Sequence, residues 1–183
     1  MSESTLEDKN KQQFIQDVFL TDTIRDSIVT RRGRPFYAAG VSDEQKFELR
    51  ESLKKYLICI AEQYKRTVSE EKHIQNIRGL MDKITQRYGS YLNGGCINFG
   101  VAQKALNCYL KYLWCNSQVC TPPHCPFDAI IISKLALPDG CCTQWTSADE
   151  DAYHTWIEAA KKQTGVGESL CEWELRIWNE SSP

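Results

Sequence analysis

Several things this sequence lacks narrow the choices at once. No apolar run approaches the 18 or so residues that a membrane-spanning helix needs, so no membrane is expected as a partner. Charge of one sign is not in excess: 22 Lys+Arg stand against 24 Asp+Glu, a net −2. That excludes a histone-like polycation and leaves room only for a local basic patch. Met1-Ser2-Glu3-Ser4-Thr5-Leu6-Glu7-Asp8 is polar and acidic and does not read as a secretory signal. There is no repeat and no low-complexity tract.

Aromatics and cysteine are not scarce. Five Trp, eight Tyr and six Phe at so small a net charge speak against wholesale disorder. The nine cysteines are an odd number, and with no signal-like start they read as reduced thiols in a cytoplasmic protein rather than as a disulfide scaffold. A chain of 183 residues predicts one domain, able to bury roughly 70% of its unfolded surface. We expect that domain to span 1–183, with 1–8 a disordered tail.

Helical periodicity dominates. Residues 6–20 place Phe14, Val18 and Phe19 on one face, and Ile24 and Ile28 continue as a second short helix. Pro35 discourages helix at Arg34. Ser42 with Gln45 reads as a capping box opening a long helix to about residue 66, with Phe47, Leu53, Tyr56, Leu57, Ile60 and Tyr64 inward. Ser69 can cap the next, followed by Glu70 and Glu71, with Ile74, Ile77, Met81, Ile84 and Tyr88 inward. After the Asn93-Gly94-Gly95 break, 99–114 is helical, and 116–127, with three prolines, is an irregular loop. Residues 128–135 fit strand or helix equally. Ser147 with Glu150 and Ser169 with Glu172 read as two further capping boxes; the alternation from Cys171 to Ile177 would suit a strand, but the cap and composition favour helix. The expected fold is all-α, six to eight helices, with room for one short strand pair.

The densest stretch for chemistry runs from 99 to 135. Lys104, Asn107 and Lys111 share one helix face, with Gln103 beside them, a cationic and amide-bearing stripe that suits an anion or nucleobase unless it is simply a solvated surface. Gly100-Val101-Ala102-Gln103-Lys104-Ala105-Leu106-Asn107-Cys108 resembles the segment that opens the catalytic helix of the helix-hairpin-helix DNA glycosylases of the 8-oxoguanine type. There a Gly-Val pair precedes the catalytic lysine by four and three residues, and a Pro-x-Asp carrying the catalytic aspartate starts the next helix, as in Pro126-Phe127-Asp128.

The resemblance implies that Lys104 attacks the anomeric carbon of a damaged nucleoside and forms a Schiff base. Asp128 would stabilise positive charge developing on the sugar or help to activate the nucleophile. Lys104 must be neutral to attack, so desolvation or the neighbouring Lys111 would lower its pKa. Phe127, Tyr109 and Trp114 are candidates to stack the flipped base. DNA is the implied partner and no cofactor is implied. The family's Leu-Pro-Gly-x-Gly hairpin, which grips phosphate through backbone amides, is missing here.

Three other constellations compete. Arg31, Arg32 and Arg34, next to Phe36 and Tyr37, form a basic loop able to hold phosphates while aromatics stack on bases. Asn107 and Lys111 are expected to join it in contacting nucleic acid. Cys115, Cys120, His124, Cys125, Cys141 and Cys142 offer thiolate and imidazole ligands, but at spacings unlike a zinc knuckle, so no metal is assigned and buried small residues are the simpler reading. Cys125 beside His124 suggests a thiol nucleophile, although adjacent residues seldom align. Set against the enzyme is a helical interaction or regulatory module with a protein partner; the missing hairpin favours that module, and the Lys104 and Pro-x-Asp pairing favours the enzyme.

Overall fold

A computed structural model describes residues 6–28 and 35–181. They form seven α-helices: α1 (Leu6–Ser27), α2 (Asp43–Ala61), α3 (Glu70–Tyr88), α4 (Phe99–Cys115), α5 (Ala129–Ser133), α6 (Glu150–Lys161) and α7 (Leu170–Ser181). Single 3-10 turns follow α2 and α3, and another precedes α6. The fold is all-α. Among the described residues no strand forms; Tyr37 and Leu92 make one isolated bridge. Among these described residues no helix is long and apolar enough to cross a membrane.

The caps explain most helix starts. Ser42 and Gln45 complete the expected capping box, and Ser69 accepts from the Lys72 amide. The Ser169 hydroxyl accepts from the Glu172 amide while the Glu172 carboxylate accepts from the Ser169 amide. From there the chain is helix, because Leu170, Cys171, Trp173 and Glu174 fall on one buried stripe of period 3.6. The short apolar piece 128–135 resolves as α5, capped by Asp128. At α6 the cap is Asp149, not Ser147, which instead closes the preceding 3-10 turn.

Other boundaries and faces also differ from the expectation. Helix α1 is continuous from Leu6 to Ser27, so 6–8 are helical, while 1–5 lie outside the described residues. Its inward face is Leu20, Thr23, Ile24 and Ser27; Phe14 is 68% exposed and Val18 40%. Phe47 likewise points outward from α2, whose buried stripe starts at Leu49. A lone apolar residue fits a helical stripe in sequence as readily as a core one, and exposed singles are common.

Helix α4 is the axis of the fold. Every residue from Phe99 to Leu110 is buried, and α1, α2, α3 and α6 pack around it. Its start is wedged under the turn before α6: the Gly100 amide donates to the Ala148 carbonyl at 3.0 Å. A Cβ on Gly100 would stand 1.8 Å from the Trp145 carbonyl oxygen, so only glycine fits. Polar side chains along this helix cannot reach water freely and must find partners inside.

Candidate functional site

Lys104 and Asp128 meet. The Lys104 Nζ donates to Asp128 Oδ2 at 2.9 Å, with the two side chains 8% and 15% exposed. The geometry follows from what α4 does to the loop before α5. Gln103 clamps Phe127 by both ends, its Nε2 donating to the Phe127 carbonyl at 2.7 Å and its Oε1 accepting from the Phe127 amide at 3.2 Å. Asn107 Nδ2 faces the Cys125 carbonyl at 2.9 Å, the Tyr153 hydroxyl at 3.0 Å and Gln103 Oε1 at 3.2 Å. Asp128 Oδ1 accepts the amides of Ile130 and Ile131 as the cap of α5. Two amides thus hold the loop, the loop holds Asp128, and its second oxygen is left for Lys104.

The electrostatics of this pair fix its resting state. Burial opposes the Lys104 charge, but Cys108, one turn further along α4, and the Asp128 carboxylate outweigh it, and the lysine pKa is raised. Burial likewise opposes the Asp128 carboxylate, yet Lys104 and the two α5 amides hold its pKa below the usual range. The pair rests as ammonium and carboxylate. Lys111 does not depress its neighbour as expected: it is engaged with Glu174 at 2.9 Å and with the Trp178 ring at 5.0 Å. Burial raises the Glu174 pKa despite that partner.

A cavity of about 800 Å³ lies near the pair, although neither Lys104 nor Asp128 lines it. Its wall includes Val101, one turn before Lys104, and Ala129, directly after Asp128, with Phe36, Asn98 and Trp145 among the other lining residues. Ser27 and Pro35, on either side of residues 29–34, line it too. Arg31, Arg32 and Arg34 themselves lie outside the described residues.

The structure moves several expected residues out of reach of a ligand. Asn107 is 1% exposed and its amide is taken up by the loop clamp. The stripe formed by Lys104, Asn107 and Gln103 is therefore an internal network and not a solvated face. Phe127 and Tyr109 are 0% and 1% exposed, so neither offers a face for stacking; Trp114 is half-buried. Among the described residues no group of three or more His, Cys, Asp or Glu side chains is placed to hold a metal ion. Cys125 is buried, and burial first, then Cys171, pushes its thiol pKa well above the ordinary value, the opposite of an activated nucleophile.

Sequence reasoning missed a second buried polar cluster. The Tyr64 hydroxyl lies 2.7 Å from His73 Nδ1 and accepts from Asn76. The His73 and His124 rings meet edge to face at 4.8 Å between centroids, and His124 Nδ1 lies 3.1 Å from the Tyr153 hydroxyl. The local signal for it is slight: His73 falls beside Ile74 on the inner stripe of α3, and His124 stands between Pro123 and Cys125.

Fold and site together define an all-α protein with a buried lysine–aspartate pair beside a sizeable cavity. Comparison with models of known families, with curated proteins and with solved structures finds no match.

Proposed function

We propose that the chain acts on DNA as a base-excision glycosylase/lyase, with Lys104 as nucleophile and Asp128 as its charge partner. The observation that carries this reading is the 2.9 Å contact between two residues 24 apart in sequence, held by a dedicated amide clamp, with Val101 and Ala129 nearby in the wall of a cavity. In the reaction the Lys104 nitrogen bonds to the anomeric carbon of a damaged nucleoside. The bond from that carbon to the base breaks, and the base leaves with the electron pair and is protonated. Loss of a proton from nitrogen and opening of the sugar ring complete the imine.

The resting ammonium is the wrong form for attack. Closing the cavity against DNA removes water, which favours the neutral amine and acid over the two separate charges, so the proton passes to Asp128 before bond formation. Returned to carboxylate, Asp128 faces the positive charge that develops on the sugar. Arg31, Arg32 and Arg34 supply phosphate contacts.

Borohydride reduction in the presence of an abasic or lesion-bearing oligonucleotide tests this. The expected result is a covalent protein–DNA adduct that Lys104→Gln abolishes, with Asp128→Asn slowing base release about 10²-fold or more while DNA binding persists. No adduct with any common lesion, together with no DNA affinity above background, overturns the enzyme reading. The second reading, an interaction module for a protein partner, draws on Phe14 and Val18, exposed four residues apart on α1.

A further inference from the structure

A groove on another face of the molecule carries a separate inference, independent of the Lys104 site. The first turns of α3 and the length of α6 flank a cavity of about 390 Å³. Four carboxylates line it, Glu70, Glu71, Glu150 and Glu158, against one guanidinium, Arg78, and the imidazole of His154, which lies 3.6 Å from Glu150. Arg78 is taken by Glu150 at 2.6 Å, and Lys161 at the rim bridges Glu70 at 2.9 Å and Glu158 at 3.4 Å. Glu71 stands outside these pairings. The apolar part of the lining is Ile74 and Ile157, both buried.

His124 supplies the observation that turns an acidic groove into a site. Its ring lines the cavity while the residue is 1% exposed, and its Nε2 has no hydrogen-bond partner among the described residues. The hydrogen-bond network assigns the proton. Among the described residues His124 Nδ1 is the acceptor within reach of the Tyr153 hydroxyl hydrogen, so the arrangement that satisfies that hydroxyl leaves Nδ1 bare and puts the ring proton on Nε2. Glu70 stands 3.8 Å from that nitrogen, beyond hydrogen-bond reach, drawn aside by Lys161. A buried N–H donor with no acceptor is costly, and a ligand oxygen relieves it. Glu70, 55% exposed, is the part of the wall free to yield.

We propose that this groove binds an arginine or lysine residue, free or within a peptide. The cationic head lies between Glu71 and Glu158, the methylene stem rests on Ile74 and Ile157, and the carbonyl oxygen accepts from His124 Nε2–H. A bare cation satisfies the carboxylates but leaves the histidine donor unmet; an anion meets the histidine but is repelled by the carboxylates. Only a ligand with a cation and a neutral acceptor a few bonds apart meets both.

Titration of the intact protein followed by NMR of imidazole and backbone nitrogens tests the assignment, using L-argininamide, agmatine and the blocked N-acetyl-arginine N-methylamide. L-argininamide should shift the His124 ring nitrogens and the amides of Glu71 and Ile74. Agmatine has the same head and no carbonyl, so it should bind more weakly and leave the His124 ring unmoved. Glu71→Gln and Glu158→Gln, both at exposed positions, should each weaken L-argininamide by about threefold, the scale of an exposed ion pair. Comparable binding of the blocked compound assigns the site to peptides, and binding of L-argininamide alone assigns it to the free amino-acid derivative. Absence of shifts at His124 and Glu71 with every compound, unchanged affinity in the two variants, or agmatine binding equal to L-argininamide overturns the proposal.

Discussion

Mild acid should destabilise this protein through two histidines. His73 and His124 are 0% and 1% exposed, and each is held neutral in the folded state. Burial, then repulsion from His124, lowers the His73 pKa well below its ordinary value, against small opposing effects of Asn107 and Glu70. Burial, then the nearby Lys161 and His154, pushes His124 down to about 3. The unfolded chain takes a proton on each near pH 6.5, so below that pH it binds more protons than the native state and stability falls with pH. Each histidine costs about 0.2 kcal/mol at pH 7 and about 2 kcal/mol at pH 5, a joint loss of about 4 kcal/mol, or roughly 10 °C in melting temperature. Glu174, with its raised pKa, works the other way, but only near the carboxylate range. Urea unfolding between pH 7 and pH 5 reads the loss as a slope approaching about 2.7 kcal/mol per pH unit. His124→Gln should cut the limiting slope to about 1.4 kcal/mol per unit. Equal stability at both pH values, or an unaltered slope in His124→Gln, would refute the neutral buried pair.

Three further outcomes are expected. Lys104→Gln and Asp128→Asn should each destabilise by about 2–3 kcal/mol, less than a fully buried pair, because the α5 amides still hold the carboxylate in the first and can still donate to the amide oxygen in the second; a double-mutant cycle by chemical denaturation that shows no coupling would refute the pairing. Gly100→Ala should cost more than about 3 kcal/mol, since the Trp145 carbonyl at 1.8 Å must be displaced, and a melting temperature near wild type would show that the turn yields freely. Neutralising Arg31, Arg32 and Arg34 should weaken DNA binding and flatten its dependence on log salt by about 0.9 for each phosphate that is no longer neutralised; unchanged affinity at low salt removes this segment from the interface.

What was legible in the sequence divides along local and non-local lines. Helix α3 could be read almost whole, because Ser69, the acidic first turn and the Ile74 to Tyr88 stripe all lie within one element. The two capping boxes at Ser42 and Ser169 were readable for the same reason, whereas Ser147 and Asp149 are both good caps two residues apart and tertiary packing chose the second. The residues Lys104 and Asp128 were both visible, as a glycine–valine start and a Pro-x-Asp. Their protonation was not, since it depends on burial and on how closely the two are brought together, which no spacing reveals. Nor was the burial of Gln103 and Asn107: an amide in a helix looks the same in sequence whether it faces water or a loop's backbone. His73 and His124 meet only because α3 and the proline-rich loop cross in space.

Asn107 Nδ2 faces at once the network that seats Asp128, through Cys125 and Gln103, and the one around His124, through Tyr153. An apolar substitution there removes donors from both, leaving the Cys125 carbonyl unmet and the Tyr153 hydroxyl with one partner fewer, at about 1–3 kcal/mol for each buried group left unsatisfied. Loss of DNA chemistry in such a variant would therefore say nothing about contact with DNA. Lys104→Arg is the sharper change: it keeps the positive charge and a donor for Asp128, but a guanidinium is not deprotonated and forms no imine. If the pair only holds α4 to α5, that variant should retain whatever activity the protein has; if Lys104 is the nucleophile, it should fold, bind DNA and yield no adduct.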